Sequence, residues 1–84
     1  MRTYLQVWKT DGNVEVFGPY DGTSPQSIPN ACYWARTLAR AGGVKNVYVM
    51  EGGTALHCYR SKPNGGYQKA RKLVLIGASF FPRW

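Results

Sequence analysis

The sequence is short of acid. Of its 84 residues only four are Asp or Glu, against eleven Lys or Arg, and none of the four lies beyond Glu51. Residues 1–51 carry five basic and four acidic side chains, a net of +1, and residues 52–84 carry six basic side chains and no acid, a net of +6, which together make the +7 of the chain. A field of one sign says little about fold but points to an acidic partner. The acids themselves, Asp11, Glu15, Asp21 and Glu51, lie mostly in or beside expected turns and offer no evident pair for acid–base chemistry.

Cysteine and histidine are equally scarce. Cys32, Cys58 and His57 are the whole supply, and two cysteines with one histidine cannot complete a four-ligand zinc site. Two cysteines are also fewer than a small secreted domain normally uses as a disulfide framework. The expectation is two buried thiols that pack as small apolar groups, although spacing alone leaves open whether they pair. His57 and Cys58 are neighbours on an expected strand, so they point to opposite faces and make a poor catalytic couple. The glycines fall at turns between strands, where no phosphate-binding helix follows. No apolar run is long enough to span a membrane, and "MRTYLQVWKTDG" alternates where a secretory leader would be continuously apolar. These absences argue for a non-enzymatic protein without metal or cofactor. They also suggest no membrane partner and a cytoplasmic setting, the host cytoplasm if the chain is viral.

What is present is patterning. The length suits one small domain over residues 1–84, burying about 60–65% of its unfolded surface. Thr3 to Lys9 alternates, with Leu5 and Val7 on one face and Tyr4, Gln6 and Trp8 on the other. Asp11-Gly12 reads as a tight hairpin turn, after which Val14 to Phe17 is expected to send Val14 and Val16 inward and Glu15 and Phe17 outward. Gly18-Pro19 and Asp21-Gly22 end that strand. "TSPQSIPNACYWARTLARAGG" is the one helical pattern. Pro29 suits a first turn, Ser27 an N-cap and Gly42 the position after the last turn. Ile28, Ala31, Cys32, Ala35, Leu38 and Ala39 form its apolar stripe, Arg36, Arg40 and Tyr33 an outer flank, and Trp34 the opposite margin.

Three further strand patterns follow the helix. Val44 to Met50 is expected to place Val47 and Val49 inward and Tyr48 and Met50 outward. Gly52-Gly53 turns the chain, and Thr54 to Arg60 divides into Leu56 and Cys58 on one face and Ala55, His57 and Tyr59 on the other. Pro63-Asn64-Gly65-Gly66 turns it again into a long return strand, Tyr67 to Ile76, whose "LVLI" reads as covered on both sides. Phe80, Phe81 and Trp84 are expected to fold back onto the body. The fold class is therefore α+β: an antiparallel sheet of about five strands, in the order β-β-α-β-β-β, with one helix packed on one face.

Two surfaces stand out as candidate sites. One helix leaves a second sheet face bearing Tyr4, Gln6, Trp8, Phe17, Tyr48, Met50, His57 and Tyr59. Such a surface serves as a binding site or a homodimer interface, unless the C-terminal aromatics cover it. The other is "YRSKPNGGYQKARK", which holds five basic residues, two tyrosines and no acid. Read as a projecting hairpin arm, it presents Arg60, Lys62, Lys69, Arg71 and Lys72 to phosphates, with Tyr59 and Tyr67 available to stack on bases. Arg36 and Arg40 make a secondary basic flank.

The expected function is a basic binding module that contacts nucleic acid through this arm and the aromatic face, or else an acidic protein surface. A sheet used as a stacking platform is similar to RNA-recognition sheets, but their local motif (a basic residue, then Gly, aromatic, Gly, aromatic) and their second helix are absent. The alternative is a compact inhibitor or adaptor that docks on a nucleic-acid-processing complex. In size and architecture alone the chain resembles small phage-encoded inhibitors, anti-CRISPR proteins among them.

Overall fold

The computed structural model describes residues 2–20 and 27–84; the expected Asp21-Gly22 turn lies outside them. The described elements are β1 (Thr3–Lys9), β2 (Val14–Tyr20), α1 (Ser27–Ala41), β3 (Val44–Glu51), β4 (Thr54–Ser61), β5 (Tyr67–Lys69), β6 (Lys72–Ile76) and β7 (Ser79–Arg83). The first five strands form one sheet in the order β2-β1-β3-β4-β5, every neighbouring pair antiparallel, and β6 and β7 form a separate two-stranded ribbon. The fold is α+β, as the patterning indicates. No described helix is long and apolar enough to cross a membrane.

The helix forms where its punctuation predicts. Pro29 sits in the first turn, and the chain leaves the helix at Gly42, whose N–H donates to the Ala39 carbonyl at 3.2 Å. Ala31, Cys32, Ala35 and Ala39 are buried against Leu5, Val7, Val47, Val49 and Tyr59 on one sheet face. Small residues on the helix let it lie close to the sheet, and each fully buried Leu or Val contributes about 1.5–3 kcal/mol. The Ser61 hydroxyl then pins the helix end over β4. It donates to the Ala39 carbonyl at 2.7 Å and accepts from the Val44 N–H at 3.1 Å. This satisfies one of the carbonyls that a helix terminus leaves without an intrahelical partner.

The first hairpin carries a correction. Lys9 N–H bonds to the Asn13 carbonyl at 2.9 Å and Gly12 N–H to the Lys9 carbonyl at 3.1 Å. Three residues, Thr10 to Gly12, therefore make the loop, with Gly12 at φ +92°. That is a type I turn closed by a left-handed residue, which glycine adopts without Cβ strain. A two-residue Asp-Gly turn would have set Val7 opposite Val16. The longer loop instead sets Val7 opposite Glu15 and Leu5 opposite Phe17. Directly paired residues share a face, so the one-residue change inverts the whole strand. Phe17 lies on the helix side, while Val14 and Val16 are on the other face and exposed.

A second inversion occurs in β4. The register between β3 and β4 shifts between Val49 and Met50, so that His57 lies opposite Val49 but Ala55 lies opposite Met50. This bulge sends Tyr59 and His57 to the helix side and Cys58 to the opposite one, while Ala55, on the near side of the shift, keeps the face that the patterning gives it. Cys32 and Cys58 are buried free thiols in separate clusters on the two sides of the sheet.

The third departure is the long return strand, which breaks. After three residues of β5, Ala70 is buried, its N–H bonded to the Cys58 carbonyl, and Arg71 N–H bonds instead to the Arg83 carbonyl. "LVLI" therefore belongs to the ribbon, and only part of it is covered: Leu75 and Ile76 are exposed. The ribbon closes over Tyr48, Met50, Ala55 and Cys58 through Leu73, Phe80 and Trp84, with the Tyr48 hydroxyl donating to the Phe80 carbonyl at 3.3 Å. Of the C-terminal aromatics expected on the body, Phe80 and Trp84 are packed there, and Phe81 remains exposed.

Candidate functional site

The sheet order separates the charges. β2, at one edge, carries Glu15, and the adjoining turn carries Asp11; Glu15 pairs with Lys9 at 2.9 Å, the one salt bridge among the described residues. β5 is the other edge, and around it the basic side chains collect. Lys69 is on β5 itself, Lys62 is in the β4–β5 turn, and Arg71 is at the break that follows. Lys72 and Arg83 are paired partners at the root of the ribbon. Lys62, Lys69, Arg71, Lys72 and Arg83 are all exposed.

The helix flank adjoins the same edge. The Arg40 guanidinium lies 4.8 Å over the Tyr67 ring, and the charge of Arg36 is near enough to the Tyr59 phenol to oppose the effect of its burial. Ser61 makes this possible by holding the helix end over β4. With Arg60 on β4, eight of the eleven basic residues (Arg36, Arg40, Arg60, Lys62, Lys69, Arg71, Lys72 and Arg83) gather near one edge. The acids Asp11 and Glu15 occupy the far one.

The eight are not equivalent. Arg60 donates twice to the Gln68 side-chain oxygen, at 3.0 and 2.7 Å, and its guanidinium stacks 4.2 Å from the Trp84 ring. It is committed internally, as Arg40 partly is. The free cations are Lys62, Lys69, Arg71, Lys72 and Arg83; Arg40 is exposed as well but lies over the Tyr67 ring. Sequence reasoning misses Arg83 among them, because its place depends on pairing with Lys72 in a ribbon that the local pattern does not announce.

The tyrosines expected to stack on bases do not stand free. Tyr59 is 2% exposed in the helix-side core, where the bulge sends it, and burial raises its phenol above the ordinary range. Tyr67 is half-buried, edge-on to Tyr59 with ring centroids 5.8 Å apart and capped by Arg40. The hairpin is thus anchored at the sheet edge by Tyr67 and Ala70 and does not extend as the long arm that the pattern suggests.

The aromatic face is likewise partly closed. Tyr48 is buried under the ribbon and Tyr4 half-buried beside it, while Trp8 stays 43% exposed, its indole N–H on the Gln6 side chain. Beside Trp8 a cleft of about 580 Å³ runs between the uncovered part of the face and the ribbon, lined by Tyr48, Phe80, Phe81, Pro82 and Lys45 among others.

Two titrating groups complete the picture. His57 is half-buried, and its imidazole is held below the ordinary range first by loss of water and then by the neighbouring charge of Lys69. The Cys58 thiol is fully buried and pushed up to about 12 by desolvation, which makes it inert as a nucleophile at neutral pH. No three or more His, Cys, Asp or Glu side chains come together to hold a metal ion among the described residues. No family model matches the chain, and no curated protein or solved structure matches it.

Proposed function

We propose that the protein is a non-enzymatic module that binds the phosphate backbone of nucleic acid along its basic edge. The observation that carries this is the gathering of eight cations, six of them exposed, at the β5 edge, with Asp11 and Glu15 held at the far edge. Such a one-signed strip releases counterions from a polyanion and steers its approach. The contacts are to phosphates first, since Tyr59 and Tyr67 are engaged within the fold.

The test is salt dependence. For duplex DNA each neutralised phosphate lowers the slope of log affinity against log salt by roughly 0.9. Reversing Arg71 and Lys72, both exposed, to glutamate is expected to flatten the slope by about two phosphates' worth. Binding should weaken alike for every sequence, because phosphate contacts carry no base information. Failure to bind either duplex or single strands at low salt would refute the proposal.

A second reading rests on the cleft beside Trp8. Its exposed Trp8 and Phe81 suit a protein partner, which is the mode of a compact inhibitor or adaptor. Replacing Trp8 and Phe81 with alanine would then speed dissociation from that partner, while charge reversal at the basic edge would mainly slow association.

A further inference from the structure

We infer that the ligand of the basic edge is single-stranded, with unpaired bases stacking on Tyr33 and Trp34 of α1. This rests on the phosphate-binding reading above and narrows it to a substrate class. Tyr33 is 54% and Trp34 49% exposed, an unusual pair of large aromatics to leave in water on one helix. They touch edge to face, with centroids 5.3 Å apart and planes at 83°. In that contact the ring that contributes its edge keeps both of its own faces free of its partner. Each ring also limits the motion of the other, so less side-chain freedom is lost when a base lands.

Placement on the helix connects this pair to the cations through Tyr33, Trp34 lying one residue further round toward the opposite margin. Tyr33, Arg36 and Arg40 recur at spacings of three and four and therefore share one stripe, about 10 Å long. The stripe ends where Arg40 covers Tyr67, next to Lys69 on β5. A strand lying along it would set a base on the aromatic pair, phosphates beside Arg36 and Arg40, and its continuation on the free cations of the edge. Duplex DNA offers no unpaired base face to such a convex surface, whereas single strands bind through this combination of stacking and a positive track.

The experiment compares a fluorescein-labelled oligo-dT 20-mer, an oligo-U of equal length and a duplex of equal length at low salt. The single strands are expected to bind more tightly than the duplex. Tyr33→Ala with Trp34→Ala is expected to weaken single-strand binding about tenfold, the scale of one lost base–aromatic stack. Duplex binding and the salt slope should stay as they were. Trp34→Phe keeps a ring, so it should restore most of the affinity while removing the tryptophan quenching that oligo-dT produces in the parent protein. Trp8 then serves as an internal control, being outside the proposed track, whereas Trp84, stacked on Arg60 beside Arg83, reports on the edge itself.

Duplex bound as tightly as single strands, with no effect of the double alanine variant, overturns the inference and leaves the basic-edge reading intact. Quenching as deep in Trp34→Phe as in the parent protein places the bases elsewhere and also overturns it. A homodimer that the double variant dissociates makes the pair a protein contact and overturns it equally. No binding to any of the three probes removes the underlying phosphate reading itself.

Discussion

Raising the pH should destabilise this protein through one sulfur atom. The Cys58 thiol is wholly buried and ionises at about 12, against 9.0 for the unperturbed group. Between those values the unfolded chain releases its proton and the folded chain keeps it. The folded state therefore binds more protons there, and stability falls as pH rises. The slope approaches ~1.4 kcal/mol per pH unit once pH exceeds the unfolded value. About 1.4 kcal/mol is then lost by pH 10, and about 2.7 kcal/mol by pH 11.

Replacing Cys58 with alanine removes the titration and leaves a small cavity, which costs on the order of 1 kcal/mol at neutral pH. The assay is urea denaturation of both proteins at pH 7.5, 9.0 and 10.0. The parent should start ahead and lose its lead by pH 10. Above that pH the raised phenols of Tyr20, Tyr48 and Tyr59 act in the same direction in both proteins, so the comparison stops there. Parallel loss of stability in the two would refute the account of Cys58 as a neutral group trapped between the sheet and the ribbon.

Other outcomes follow from the same packing. Tyr48→Ser removes a buried ring and its bond to the Phe80 carbonyl, and should lower stability by about 3 kcal/mol in a urea titration, whereas Trp8→Ser, half in solvent, should cost under about 1. Gly18→Ala should cost roughly 1–3 kcal/mol, because its φ is +123° and the new Cβ would lie 3.2 Å from that of Tyr4; an unchanged melting temperature would contradict this. His57 is half-buried with a lowered pKa, so its contribution is complete above the unfolded value of 6.5 and is lost as pH falls below it. His57→Gln should therefore flatten the decline in stability between pH 7 and 5.5, measured by the same denaturation.

The helix is legible in the sequence because its signals are local. Pro29, Gly42 and the alanine stripe each fix something within a turn or two of chain. β1 is legible for the same reason, and so are the inward Val47 and Val49. β2 and β4 read correctly as strands, but with faces exchanged in β2 and, in β4, from His57 to Tyr59, since a face depends on loop length and on bulges. One extra residue in the Thr10–Gly12 loop decides where Phe17 goes, and the shift between Val49 and Met50 decides where Tyr59 goes. No alternation pattern within the strand records either.

The charge asymmetry is plain in composition, yet its geometry is not. Arg36 and Arg40 adjoin the edge only because Ser61 holds the helix end over β4, and Arg83 adjoins it only because Lys72 is its partner. Both are contacts between residues well separated along the chain. Tyr33 reads from the sequence as an outer helix residue and Trp34 as a margin of the apolar stripe, but their importance shows only when the aromatics of the sheet prove to be covered.

The ribbon also has a consequence for how the molecule keeps to itself. α1 and the five-stranded sheet are complete in sequence by Lys69, whereas the cover over Tyr48, Met50, Ala55 and Cys58 is supplied largely by the ribbon strands, Lys72–Ile76 and Ser79–Arg83. The ribbon can therefore lift away as a unit while the main sheet stays paired, because proteins open locally in contiguous units that often coincide with a hairpin. Each opening shows water an apolar sheet face of the kind on which chaperones act and from which aggregates grow. Self-association of this protein is then governed by how often its last hairpin lets go.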